Sequence, residues 1–317
     1  MKLRGAVSYA IILFFLVWCA IVFRADIAQI KFAPIWGARN AVLLATLLSL
    51  FNYALRTVRW SLYLTRLGHP LPASFCALTY IAGFAFTLSP GKVGELVRGR
   101  YYQRVGISLS STTAAFFIER LMDLLAMLTL ASLSLASSSA FERLIWVTIG
   151  VIVTVLAVLA LAPWERFLKW LQSVAWFTPS LKKPIGGILR TLLFARVLLQ
   201  PKLLAIGFVI GLIAWGAEGI GLMVIGAISP GVSLDWATAT GIYSVAIIVG
   251  ALSFLPGGLG STEAVMIGLL ATHGYSVPDA ILLTLVCRLL TLWFAVVIGW
   301  IAVIALRNNP MFEANNR

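Results

Sequence analysis

Long apolar runs dominate this chain, and six of them reach or approach the length of about 20 residues that a bilayer-spanning helix needs. The composition agrees, because 61% of the residues are hydrophobic and only 11% are charged, far from the usage of an average soluble domain. The sequence therefore predicts an all-α polytopic membrane protein with about six transmembrane helices. The expected crossings lie at 5–23, 39–58, 114–137, 144–162, 203–226 and 279–306.

Two further apolar stretches, 72–105 and 236–273, are interrupted in the middle by a Pro-Gly motif. The first reads LSPGKVGE from Leu88, and the second reads LPGGLGSTE from Leu255. Proline offers no backbone donor and glycine reaches conformations closed to other residues, so each motif is expected to end one half-helix before another begins. Either the motifs make tight turns only, or they form the tips of two re-entrant broken hairpins. The tip residues are Pro90, Gly91, Gly94, Pro256, Gly257 and Gly260.

The two motifs belong to an internal duplication. The spacing that separates Glu95 from Glu263 also separates Arg120 from Arg288. We expect one transmembrane domain over 1–317, with repeat one at about 39–137 and repeat two at about 203–306. Between them, 164–202 contains seven basic residues and one acidic residue, which predicts an amphipathic linker along the cytoplasmic head-group layer.

The 24 Lys and Arg residues are distributed unevenly. If both broken hairpins re-enter, most of these residues, Arg56 and Arg59 included, fall on the side of the N-terminus. The positive-inside rule then predicts cytoplasmic N- and C-termini and an inverted repeat. Lys92, Arg120 and Arg288 are left at membrane depth. The net charge of +13 indicates attraction to anionic membrane lipids rather than to nucleic acid, because no nucleic-acid module is recognisable.

Charged side chains at membrane depth form the second signal, since each costs about 2.5–3.5 kcal/mol at the bilayer centre when unpaired. Glu119, Arg120 and Asp123 share one face of the segment FFIERLMDLL. Arg120 is expected to pair with Asp123 or Glu119, and Arg288 with Glu263 or Glu95. Purely structural ion pairs and a polar substrate cavity both stay open as explanations. The candidate translocation residues are Glu95, Arg98, Glu119, Arg120, Asp123, Glu263 and Arg288.

The broken hairpins also suggest how a head group would bind. Outgoing half-helices present free N–H groups and a positive dipole end, which favour a phosphate, and inverted repeats with interrupted helices are typical of transporters whose site lies near the midplane. Glu95, Arg98 and Tyr102 share a helical face that is expected to receive a lipid phosphate at the inner leaflet.

The motifs LSPGKVGELVRGRYY, ERLMDLL and LPGGLGSTEA, in this order, resemble the lysylphosphatidylglycerol synthase transmembrane-region family, also called the flippase-like domain family. The resemblance covers nearly the whole chain and implies translocation of a lipid or a lipid-linked sugar. Two-part members carry an aminoacyltransferase domain after this region. No such domain follows the last helix here, so we expect no aminoacyl-lipid synthesis.

The leading hypothesis is a non-enzymatic, flippase-like lipid transporter of the bacterial inner membrane, without metal or cofactor. It would move a phospholipid or a polyprenyl-linked or glycolipid head group between leaflets. One alternative is an enzyme of lipid-linked glycosylation or envelope lipid modification, although the sequence contains no DxD pair or nucleotide loop. Another is a non-transporting scaffold for a separate lipid-modifying enzyme. The sequence does not fix the oligomeric state.

Overall fold

The computed structural model of the protein describes residues 37–135, 139–173, 179–229 and 231–307. These ranges contain helices and turns and no β-strand. The first expected crossing, 5–23, lies outside them. The helices are α1 Arg39–Arg66, α2 Ala73–Phe84, α3 Arg98–Arg104, α4 Leu109–Leu135, α5 Ser139–Leu161, α6 Trp164–Ser173, α7 Pro179–Val197, α8 Pro201–Gly226, α9 Trp236–Leu252, α10 Ser261–Thr272, α11 Val277–Arg288 and α12 Phe294–Arg307.

Three helical segments of the described ranges are long and apolar enough to cross a membrane. They are α1, α8 and the continuous segment Val277–Arg307, in which a π-helical turn joins α11 to α12. A fourth candidate combines Trp146–Leu161 with α6, but these two helices are bent by 60° relative to each other. At 27 residues α4 is long enough, yet its charged residues lower its apolarity. The all-helical membrane class is thus confirmed, and the full count of six crossings stays a prediction.

The two Pro-Gly motifs do not form matching hairpins. In the second motif a short 3₁₀ turn, Pro256–Gly258, is separated by two residues from α10. In the first, a longer 3₁₀ segment, Pro90–Val97, precedes the seven-residue helix α3. The prediction that a continuous α-helix leads out of the first motif from Pro90 is therefore wrong. One reason is local, since Lys92 adopts a left-handed backbone conformation with φ 56°, which interrupts an α-helical hydrogen-bond ladder.

The linker contains two helices, α6 and α7, and its location along the cytoplasmic head-group layer stays a prediction. In α6 Leu171 is buried while Glu165, Arg166 and Lys169 are exposed, which suits a helix lying at an interface. The charged face of α6 follows from the helical spacing of Glu165, Arg166 and Lys169 in its sequence. The boundaries of the domain and of its two repeats stay predictions.

Helix α8 lies at the centre and packs against α1, α4, α9 and α11, while α12 packs against α2. The contact between α12 and α2 depends on Gly299. A methyl group added there would lie 2.8 Å from the carbonyl carbon of Phe84 and 3.0 Å from the Cα of Ala85. Because the obstacle is backbone, it has little freedom to move aside.

We therefore expect Gly299→Ala to lower the free energy of unfolding by about 1–3 kcal/mol, as overpacking does. Gly268→Ala in α10 is the matched control, because nothing lies within 4 Å of the added methyl group. It should leave stability unchanged or raise it by up to about 1 kcal/mol, because alanine is favoured over glycine in a helix interior. Thermal unfolding of both variants in detergent compares them. Equal melting temperatures would show that α2 and α12 do not pack as closely as described.

Candidate functional site

A cluster of buried charges lies between α1, α3 and α4. Two carboxylates of α4 are surrounded by arginines, and the shortest contacts are 2.5 Å from Arg59 Nη2 to Asp123 Oδ1 and 3.0 Å from Arg98 Nη2 to Glu119 Oε2. The hydroxyl of Tyr80 also donates to Glu119. Buried ion pairs of this kind persist only when most of their charge is compensated. The members of this ionic cluster are Arg56, Arg59, Arg98, Glu119, Arg120 and Asp123.

Arg56 and Arg59, which the sequence analysis counted among the charges on the cytoplasmic side, have their side chains inside the protein. Both are buried, and Arg59 also donates to the carbonyl of Gly207 at 3.2 Å. A signal for this was present in the sequence. Ser49, Asn52, Arg56 and Arg59 follow one another at intervals of three or four residues, so they lie on one face of α1.

Arg98 lies in a box of aromatic rings. Its guanidinium carbon is 3.9 Å from the ring centre of Trp60, 4.6 Å from that of Tyr80 and 5.3 Å from that of Phe116. Arg98 is 1% exposed, and Tyr102 is equally buried. The prediction that Arg98 and Tyr102 present a face to a lipid phosphate at the inner leaflet is therefore wrong, because both side chains point into the protein.

Both partners expected for Arg120 lie close to its guanidinium group. Its Nη2 is 3.1 Å from Asp123 Oδ2 and 3.3 Å from Glu119 Oε1. Glu95 is held more loosely, with its Oε2 3.7 Å from Arg98 and 3.9 Å from Arg120 and its Oε1 accepting from Thr87 Oγ1 at 3.1 Å. We call the 3₁₀ segment Pro90–Val97 the first turn and the 3₁₀ turn Pro256–Gly258, with the two residues after it, the second turn. Glu95 thus connects the first turn to the ionic cluster.

Arg288 pairs with Glu263 rather than with Glu95. Its Nε lies 2.5 Å from Glu263 Oε1, and its Nη2 donates to the carbonyl of Gly257 at 2.7 Å. The other Glu263 oxygen accepts from the amide of Gly260 at 2.6 Å. That carboxylate therefore already binds an amide at the start of α10, which leaves less of this helix end for a phosphate than the sequence argument assumed.

The two turns contact each other. A methyl group added to Gly257 would lie 2.7 Å from Leu88 Cδ2. In the second turn Gly257, Gly258 and Gly260 all have positive φ, which explains their glycines. In the first turn Pro90 and Gly91 begin the 3₁₀ segment, and the amide of Gly94 donates to Ser89 Oγ at 2.6 Å.

A cavity of about 260 Å³ lies beside these turns. Three cationic side chains line it, Lys92, Arg120 and Arg288, against one carboxylate, that of Asp123. The rest of its wall is mostly apolar. We call it the head-group cavity. A smaller cavity of about 40 Å³ adjoins it and is lined by Lys92 and Arg288 as well.

Lys92 is one of the site residues that the candidate set from the sequence did not include. Its Nζ lies 5.9 Å from the ring centre of Trp215, and no carboxylate of the described ranges forms a salt bridge with it. Its counterpart in the duplication is Gly258, which has φ 66°. A lysine therefore occupies a left-handed position that glycine fills in the other repeat, and such strain is found mainly at functional sites.

The sequence pattern of the family described as "Lysylphosphatidylglycerol synthase TM region" matches residues 4–299. The chain belongs to this family. Similar proteins include two described as UPF0104 membrane proteins from Methanothermobacter thermautotrophicus, each 26% identical. The two alignments cover 86% and 93% of this chain and 84% and 90% of those proteins. A UPF0104 membrane protein of Pyrococcus horikoshii is 23% identical, over 87% of this chain and 89% of its own.

Membership of this family, together with the apolar helices, identifies a multi-pass membrane protein. The resemblance carried by the three motifs is thereby confirmed. The relatives named above are archaeal proteins, so they lend no support to a bacterial inner membrane. That location and the cytoplasmic termini stay predictions.

Proposed function

We propose that this protein moves the head group of an anionic lipid, a phospholipid or a lipid-linked phosphate, from one membrane leaflet to the other. The observation that carries this proposal is the head-group cavity, in which three cations face one carboxylate. An unpaired charge at membrane depth costs about 2.5–3.5 kcal/mol. A phosphate beside Lys92 would offset that cost. Arg120 and Arg288, which are already paired with Asp123 and Glu263, would add charge-assisted hydrogen bonds.

The apolar part of the same cavity supports a lipid rather than a free anion. Leu252 and Phe254 line the cavity, yet they are 66% and 71% exposed. In a membrane protein such exposure of large apolar side chains favours contact with lipid. The wall of the cavity would then continue to the lipid-facing surface, where acyl or polyprenyl tails would stay while the head group enters.

The finer topology belongs to the same proposal. Six crossings, two re-entrant hairpins in an inverted repeat and cytoplasmic termini would place the contact between Leu88 and Gly257 near the midplane, where such transporters bind substrate. The ionic cluster would hold α1, α3 and α4 together beside the cavity. We propose no catalytic activity, and a scaffold for a separate lipid-modifying enzyme is the alternative that transport measurements address.

Purified protein reconstituted into vesicles tests the proposal. Fluorescent phosphatidylglycerol, phosphatidylcholine and a polyprenyl phosphate are placed in both leaflets, and a membrane-impermeant quencher reports how fast inner-leaflet lipid reaches the outside. We expect the protein to speed movement of the two anionic lipids most, relative to empty vesicles and to vesicles containing an unrelated helical membrane protein. Failure to speed any lipid would overturn the proposal and favour the scaffold.

A further inference from the structure

Glu218 on α8 differs from the other carboxylates around the site. Glu95, Glu119, Asp123 and Glu263 each have an arginine within salt-bridge distance. Glu218 is 3% exposed and has no such partner among the described residues. Its Oε2 accepts a hydrogen bond from the neutral hydroxyl of Ser49 at 2.8 Å. A buried carboxyl group without a paired cation is most stable with its proton bound.

A cavity borders the carboxyl group of Glu218. Glu218 lines the smaller cavity, whose volume of about 40 Å³ has room for water. The charged and titratable groups facing this cavity come from several elements. They are Tyr53 and Arg56 of α1, Lys92 and Glu95 of the first turn, Tyr243 of α9 and Arg288 of α11.

Two more neighbours complete these surroundings. Cys287 of α11 lines another small pocket together with Glu218. Asp123 of α4 reaches α8 through Trp215, whose Nε1 donates to Asp123 Oδ1 at 3.0 Å. Neither the Cys287 thiol nor the Asp123 carboxylate supplies a positive charge that would neutralise the Glu218 carboxylate.

We propose that Glu218 is a proton-binding site coupled to the head-group cavity, so that one proton moves with one anionic head group. This rests on the proposed function. Lys92 lines both cavities, so its charge favours the Glu218 carboxylate when the head-group cavity is empty. A phosphate beside Lys92 neutralises that charge and adds a like charge nearby. The Glu218 oxygen then takes a proton from water, and head group and proton each strengthen binding of the other.

Infrared spectroscopy of the full-length protein in detergent tests the proton site without any transport. We expect a protonated-carboxyl band that disappears as the pH is raised. It should be missing from Glu218→Gln and retained in the control Glu263→Gln, whose carboxylate is paired. Adding dihexanoyl-phosphatidylglycerol should move its disappearance to higher pH by about one unit, a tenfold change in proton affinity, and Lys92→Gln should abolish that shift.

If Glu218→Gln does not fold, Ser49→Ala keeps the question answerable. It removes a hydrogen bond that favours the charged carboxylate, so the band should persist to higher pH. An unchanged band would assign it to another residue and overturn the proton site.

Vesicles with an imposed pH gradient separate this inference from the proposed function. We expect the gradient to change the rate of anionic lipid movement by protein but not by Glu218→Gln. Lipid movement that is indifferent to the gradient and to Glu218, with no titrating band, would overturn the proton site and leave the proposed function intact. A titrating band that lipid shifts, without any lipid movement, would support the proton site and overturn transport.

Discussion

Glu119→Gln is expected to cost the protein about 3–5 kcal/mol of stability, the range for breaking a buried ion pair. Glutamine keeps the size of the side chain and removes its charge. Arg59 and Arg98 then lose a counter-charge in surroundings that exclude water, because Arg98, Arg59 and Glu119 are all fully or almost fully buried. Asp123 and the more loosely held Glu95 would then be the carboxylates that face the arginines of the ionic cluster. Chemical or thermal unfolding in detergent measures the loss.

The control is Glu165→Gln on α6, which removes an exposed carboxylate and should change stability by no more than about 0.5 kcal/mol. A double-mutant cycle with Arg98→Gln identifies the interaction itself. Because Arg98 Nη2 lies 3.0 Å from Glu119 Oε2, the double variant should lose less than the sum of the single losses, by about 0.5–3 kcal/mol. Full additivity, or a Glu119→Gln protein as stable as the parent, would contradict the described cluster.

Lys92→Gln is expected to have the largest effect on transport, slowing anionic lipid movement by about tenfold to a hundredfold. A hydrogen bond to a charged group contributes about 1.5–3 kcal/mol, and about 1.4 kcal/mol corresponds to a factor of ten. Stability should not fall, since no carboxylate of the described ranges pairs with Lys92. The vesicle assay and a melting curve measure the two properties separately.

Lys92→Gly sharpens the comparison. Glycine adopts φ 56° without steric cost, so this variant should melt no lower than the parent and still lose anionic lipid movement. Lys202→Gln is the matched control, because it removes an exposed lysine near the start of α8 and should move lipid at the parental rate. If Lys92→Gly moves anionic lipid normally, Lys92 does not bind the head group.

Sequence reasoning reached the helical membrane class and the family because both rest on local patterns. Apolar runs of sufficient length predict helices in a bilayer, and the three motifs are contiguous. It also brought together Glu119, Arg120 and Asp123, since residues three or four apart share a helix face. The pairing of Arg288 with Glu263 was one of two alternatives, and only the packing of α10 against α11 selects it.

Other features depended on tertiary structure and were missed or misread. Arg56 and Arg59 lie near the end of an apolar run, where the positive-inside rule assigns arginines to the cytoplasm. Their burial follows from contact with α4. A count of charges along the sequence gives no information about such a tertiary contact. The structure of the first turn was mispredicted for a different reason. Its motif looks like that of the second, but Lys92 replaces Gly258 and Ser89 binds the amide of Gly94, so a 3₁₀ segment forms instead of an α-helix.

Equilibrium binding of dihexanoyl-phosphatidylglycerol to the purified protein, measured by calorimetry for the parent, Lys92→Gln and Lys202→Gln, tests the head-group site most directly. We expect the parent and Lys202→Gln to bind this lipid with the same Kd, while Lys92→Gln binds it about tenfold to a hundredfold more weakly. The Kd for dihexanoyl-phosphatidylcholine should differ little between the three proteins. Equal affinity of the parent and Lys92→Gln for the anionic lipid would contradict a head-group site between the two turns.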